Sequence, residues 1–112
     1  MIVRNVKEVP EFLGHDGTVK IRPLLEKKDI KSDLLFFNEN YVDPGVEVSA
    51  HTHHNEEEIY YILEGRALMK VDEEEMEVGK GHIVLTPKGG THTIKNVGDK
   101  ELRFLSFAVR VG

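Results

Sequence analysis

Short runs rich in valine, isoleucine, tyrosine and phenylalanine recur along the chain, broken by glycine, proline, aspartate and asparagine. That rhythm predicts strands joined by turns. Strands are expected at Val19–Arg22, Leu34–Tyr41, Val46–His51, Glu58–Leu63, Ala67–Val71, Glu75–Val78, Ile83–Thr86, His92–Asn96 and Leu102–Val109. Turns are expected at Asp43-Pro44-Gly45, Glu64-Gly65, Gly79–Gly81, Pro87–Gly90 and Gly98-Asp99. The one helical candidate is a turn near Leu24–Lys31. Many short, evenly spaced strands indicate an all-β sandwich or barrel. The hairpin within "VDEEEMEV" lacks the glycine or asparagine that a tight two-residue turn prefers. It therefore predicts either a looser turn or a strained glutamate near Asp72–Glu74.

Several strands are apolar on both faces. In "EIYYILEG", Glu58, Tyr60 and Ile62 point one way while Ile59, Tyr61 and Leu63 point the other. In "ELRFLSFAVRV", Phe104 and Ala108 oppose Leu105, Phe107 and Val109. A sheet with one wet face would alternate polar and apolar. Both faces here need cover, and a small domain has few layers to supply it. A homodimer is expected, with cover from the N-terminal segment as the alternative.

Composition narrows the classes. At 112 residues the chain is one domain, with a barrel core over about 34–109 and a segment 1–33 that covers the barrel or a dimer interface. It is 39% hydrophobic and 31% charged, which suits a globular protein. The net charge of -5, with no basic block to offset the acidic clusters, argues against nucleic acid. Cysteine is absent, which removes disulfides and thiolate ligands. No segment has the apolar length of a membrane span or signal peptide, so no membrane partner is expected and a cytoplasmic protein is the default.

The stretch "HTHHNEEEIYYILEG" concentrates the candidate chemistry. His51 and His53 are two apart, so on a strand both face the same way and reach one ion. Glu58 follows after a loop and can meet them from the next strand. An unpaired carboxylate among the following aromatics would be costly, and a cation shared with imidazoles resolves that cost. His92 opens a later strand after Gly89-Gly90 and can complete the set. Three imidazoles and one carboxylate suit Mn, Fe, Co, Ni, Cu or Zn and leave coordination positions open, as catalytic metals need. On spacing alone the His-x-His pair also fits a polar strand edge, and His92 also fits a turn. Glu56 and Glu57 read as solvated loop. His15, His54 and His82 read as surface or locally bonded histidines.

These residues resemble the two motifs of the cupin family. The first is Gly, five residues, His-x-His, three or four residues, Glu, six residues, Gly. It corresponds to "GVEVSAHTHHNEEEIYYILEG", with Gly45, His51, His53, Glu58 and Gly65 in place. The second is Gly, five residues, Pro-x-Gly, two residues, His, three residues, Asn. It corresponds to "GHIVLTPKGGTHTIKN", with Gly81, Pro87, Gly89, His92 and Asn96 in place. The resemblance covers Gly45–Asn96. It implies a double-stranded β-helix, a jelly-roll-like barrel of two antiparallel sheets. It implies metal ligands at His51, His53, Glu58 and His92, and for many one-domain members an outer-face dimer. It also implies that Gly45, Gly65, Gly81 and Gly89 allow turns, that Pro87 stiffens its loop and that Asn96 fixes the end of a strand.

The family does not dictate a reaction. The leading expectation is a metal-dependent enzyme acting on a small oxygen-rich metabolite, similar to oxalate decarboxylases or flavonol-type dioxygenases. Tyr60, on the face of Glu58, is the candidate proton donor, with a plain core aromatic as the alternative. Glu47, of the same parity as His51, is a candidate at the rim. The alternatives are a small-molecule binding or sensing module and a sugar-phosphate isomerase. The isomerase is disfavoured because "NEEE" stands where phosphomannose isomerase-like cupins carry a basic residue.

Overall fold

A computed structural model describes residues 1–52 and 54–112. Ten strands are described: β1 (Phe12–Gly14), β2 (Val19–Leu25), β3 (Leu34–Val42), β4 (His51–Thr52), β5 (Glu56–Glu64), β6 (Arg66–Val71), β7 (Glu74–Gly79), β8 (Ile83–Thr86), β9 (Thr91–Asn96) and β10 (Leu102–Arg110). They form two antiparallel sheets, one in the order β1-β2-β3-β10-β5-β8 and the other β4-β9-β6-β7. From β3 onward the chain passes between the sheets at nearly every connection. This is the jelly-roll-like double-stranded β-helix, an all-β fold.

The inward faces follow the two-residue period of the strands. Glu58, Tyr60 and Ile62 of β5 are buried, and so are Leu102, Phe104, Ser106 and Ala108 of β10. Val42, Ile62, Ala67, Ile94 and Leu102 are sealed from solvent and close one end of the barrel. Asn96 is also fully buried there. Its amide donates to the carbonyls of Val42 and Lys100, both at 2.8 Å, and accepts from the Gly98 amide at 2.9 Å. One side chain thus ties the end of β3 to the β9–β10 loop, and each buried polar atom has its partner.

The turns explain where the chain can cross between sheets. Gly65 alone connects β5 to β6, with φ +95, and an added Cβ would lie 3.2 Å from the backbone of Leu102. Only glycine tolerates both demands. The β6–β7 hairpin is tighter than expected. Its loop is the two residues Asp72 and Glu73, and Asp72, not a glutamate, takes the positive φ of 52°. Aspartate visits this region more readily than most residues. Here its carboxylate accepts from the Thr91 amide at 3.0 Å and its own amide donates to the Thr91 carbonyl at 2.8 Å.

Three other elements differ from the pattern. Val46–His51 is not one strand: Glu47 bridges Lys95, and regular pairing resumes only at His51. The Leu24–Lys31 region continues β2 to Leu25 and then makes one 3-10 turn, Lys27–Asp29, closed by reciprocal Glu26 and Asp29 hydrogen bonds. A short strand, β1, pairs with β2 and extends the larger sheet outside the predicted set.

The outer face of the larger sheet stays apolar. Ile59 faces Leu85 across the β5–β8 pair, and Tyr61 faces Ile83. Leu105 and Phe107 lie beside Tyr61 and Ile59, and the Phe107 ring stacks on Phe37 at 5.5 Å. Tyr61, Ile83 and Leu85 are exposed. On the same face Glu39 is buried and accepts from the Tyr41 hydroxyl at 3.0 Å and the Arg103 guanidinium at 3.2 Å. Burial and the Glu39 carboxylate push the Tyr41 phenol up to about 12.

Candidate metal centre

The sheet register brings three of the sequence-distant candidate ligands together. His51 of β4 lies opposite His92 of β9. Glu58 reaches the same point from β5 in the facing sheet, through the barrel interior. One ligand atom from each of His51, Glu58 and His92 lies within 4.8 Å of the others. The Glu58 Oε1 is 3.1 Å from His92 Nε2 and 3.8 Å from His51 Nε2. His51 Nδ1 is 3.2 Å from the Ser49 carbonyl. Donation to that carbonyl holds the proton on Nδ1 and leaves Nε2 aimed at the carboxylate, as imidazole ligands require. His53 lies outside the described residues.

Burial sets the electrostatics. His92 and Glu58 are almost wholly buried, and His51 is half-buried. A carboxylate in such a place needs positive charge or hydrogen bonds. The donor set, imidazole nitrogen with carboxylate oxygen, fits a divalent transition metal. Tyr60 lies two residues from Glu58 on the same face, with its hydroxyl 3.1 Å from His92 Nε2 and its ring packed on Phe104. Burial first, then the charge of Glu58 and a hydrogen bond with it, push the Tyr60 phenol well above its usual range. Tyr60 therefore holds its proton beside the candidate ligands.

The structure does not bring Glu47 to this group. Glu47 is exposed, while its neighbour Val48 is buried and packs into the core. His51 faces inward because Ser49 and Ala50 interrupt the alternation that Glu47 would otherwise share. A residue read as surface stands closer than expected. His15 lies at the tip of the β1–β2 hairpin, and its ring stacks on His51 at 4.4 Å. His15 and Asp16 both have positive φ, 48° and 59°. The Ser49 hydroxyl pins the tip, donating to the His15 carbonyl at 3.1 Å. The "HDG" sequence is a turn signal, but no spacing rule places that turn beside residue 51.

A cavity of about 40 Å³ adjoins Glu58 and Tyr60 inside the barrel. A larger depression, about 720 Å³, surrounds Arg66, Gly98 and Lys100 beyond the far end of β5. None of His51, Glu58 and His92 lines it.

With this geometry the class is defined, and the chain belongs to the cupin family: the Cupin domain model matches residues 40–108. An uncharacterised protein of Methanocaldococcus jannaschii is 38% identical over 98 residues, covering 88% of this chain and 78% of that protein. An oxalate-binding protein of Thermotoga maritima is 31% identical over 113 residues, covering 97% of this chain and 93% of the other. The crystal structure of a predicted oxalate decarboxylase from Thermotoga maritima superposes with a TM-score of 0.89 at 28% identity, over 99% of this chain and all of that one. Among the described residues no helix is long and apolar enough to cross a membrane.

Proposed function

We propose that this chain is a metal-dependent cupin acting on a small oxygen-rich acid, in the manner of decarboxylase- or dioxygenase-type cupins. The observation that carries the reading is the convergence of His51, Glu58 and His92 ligand atoms within 4.8 Å, with Glu58 also lining an interior cavity. His53 completes the ligand set by the motif it shares. Mn, Fe, Co, Ni, Cu and Zn all suit these donors. When bound, such an ion supplies Lewis acidity toward a carboxylate or carbonyl oxygen and, for Mn or Fe, a site for dioxygen chemistry.

The chain's own residues supply the rest. Glu58 and the imidazoles present one carboxylate charge and neutral nitrogens, so the loaded site retains positive charge for an anionic ligand. Tyr60 keeps its proton, with its hydroxyl 3.1 Å from His92 Nε2. One nitrogen lone pair cannot serve both a metal and a hydroxyl. With Nε2 committed to a metal, the Tyr60 O–H becomes available to a bound acid, which is the position a proton donor needs. Glu47 contributes nothing to this reading.

The second reading is binding without turnover. It is favoured by the likeness to a protein named for binding oxalate. A sugar-phosphate isomerase is less favoured, since no lysine or arginine lines the cavity among the described residues. The reading includes a homodimer formed through the apolar outer face around Tyr61, Ile83 and Leu85.

Metal analysis of the purified protein, followed by oxalate, diketone and oxygen-uptake assays, tests the proposal. Catalysis is expected to disappear in His92→Ala while the protein stays folded. Tight, metal-dependent oxalate binding with no turnover across the panel selects the binding module. Failure to take up any of these metals, with His51→Ala indistinguishable from the parent, refutes the metal centre itself.

A further inference from the structure

The cavity has a far wall that the metal ligands do not use. Asn38 of β3 lies directly opposite Ser106 of β10, and Ser106 lies opposite Tyr60 of β5. One row of inward side chains therefore runs from Asn38 through Ser106 to the tyrosine beside the ligands. The next row holds Phe36, Ala108 and Glu58. Asn38, Asn40 and Ser106 all line the cavity.

The hydrogen bonds along this wall are incomplete. The Asn40 amide donates to Ser106 Oγ at 2.8 Å, which leaves the Ser106 O–H to donate elsewhere. The Asn38 Oδ1 is buried and has no hydrogen-bond partner among the described residues. Buried polar atoms are rarely left so, and a bound molecule is one way to satisfy them. A simple stability role does not account for asparagine here, because an apolar residue on this face would cost no unmade bond.

We infer that Asn38 and Ser106 bind the uncharged oxygen of a compact mono-anionic acid whose carboxylate lies at the His51–Glu58–His92 group. The inference rests on the proposed metal-dependent reading and names its ligand class. An amide and a hydroxyl can each donate or accept, so they read a hydroxyl or a carbonyl. They cannot neutralise a second charge, and among the described residues the His15 imidazole is the one basic side chain that lines the cavity besides the metal group, with no lysine or arginine. The cavity of about 40 Å³ holds only a few water-sized groups. These features select 2-hydroxy and 2-oxo monocarboxylates of about two carbons over phosphate esters and longer acids.

The test uses the full chain loaded with Zn²⁺, which adds no redox chemistry. Binding of glycolate, of its near-isostere propionate and of phosphoglycolate is measured by calorimetry. Oxalate is measured beside them as a probe of the metal centre. Asn38→Ala and Ser106→Ala are each expected to weaken glycolate binding about 3- to 10-fold, the effect of one neutral hydrogen bond. Both are expected to leave propionate within about 2-fold, with zinc content and melting temperature retained. The parent is expected to prefer glycolate to phosphoglycolate. Loss of glycolate and propionate affinity in equal measure, or no loss of either, overturns the role of the wall while oxalate binding upholds the metal reading. Absence of zinc-dependent binding for every acid overturns both.

Discussion

Glu58 and Ile62 project from the same face of β5 into the same barrel, yet their surroundings are opposite. Around Ile62 the barrel is closed by Val42, Ala67, Ile94 and Leu102, all sealed from solvent. Around Glu58 it contains imidazoles, a phenol, amides and a hydroxyl, with a cavity among them. One end holds the sheets together through apolar contact. The other carries groups whose burial costs free energy, and it depends on the first to stay assembled. A binding site of this kind needs a stable half to tolerate an unstable one.

The sharpest test of that division is Ile62→Ala. It removes packing where no solvent can enter, and about 2–5 kcal/mol of folding stability is expected to go with it. Denaturant unfolding reads this directly, and a loss below about 1 kcal/mol would mean that the closed end is not the stabilising half.

Asn96→Ala should follow at about 2–4 kcal/mol, because three backbone groups, one buried and two partly buried, lose their partner together. Its metal content is expected to stay unchanged once folded, since Asn96 lies at the closed end.

Glu58→Gln probes the other half with the opposite sign. Removing a buried charge is expected to leave the metal-free protein as stable or more so, while metal affinity falls on the order of 100-fold or more. Thermal melts beside metal titrations separate the two effects. Lower stability of the metal-free variant would show that Glu58 holds the fold rather than a ligand.

The smallest effect on folding is expected from Ile83→Glu, within about 0.5 kcal/mol, because the side chain is 69% exposed. Its consequence should appear in sedimentation, where a dimer of the parent becomes a monomer. An unchanged mass for the variant would remove the outer face as the self-association surface.

Strand identity was readable in the chain wherever burial is regular. The alternation in "EIYYILEG" and "ELRFLSFAVRV" announced both inward and outward faces, and β5 and β10 carry them as read. The segment Val46–His51 was harder. Its valines alternate as in a strand, but Ser49 and Ala50 leave the ladder, so parity failed to predict where Glu47 would stand. Asp72 was missed as the strained residue because aspartate accepts positive φ only with help, and that help comes from Thr91, nineteen residues on. "FFNENYV" carries a signal of its own in the sequence. Two asparagines at alternate positions in an apolar strand mark a polar strip on one face.

The sequence by itself determined the candidate ligands, because donor chemistry and motif spacing are local properties of the chain. His51, Glu58 and His92 could be named from residue type, strand period and the glycines that permit the turns. Only the tertiary structure decided what stands around them. His15 meets His51 because a hairpin tip folds over it, and Asn38, Ser106 and Tyr60 align because three strands adopt one register. Register and hairpin docking are set by the summed packing of the whole barrel, and no short stretch of sequence encodes that sum.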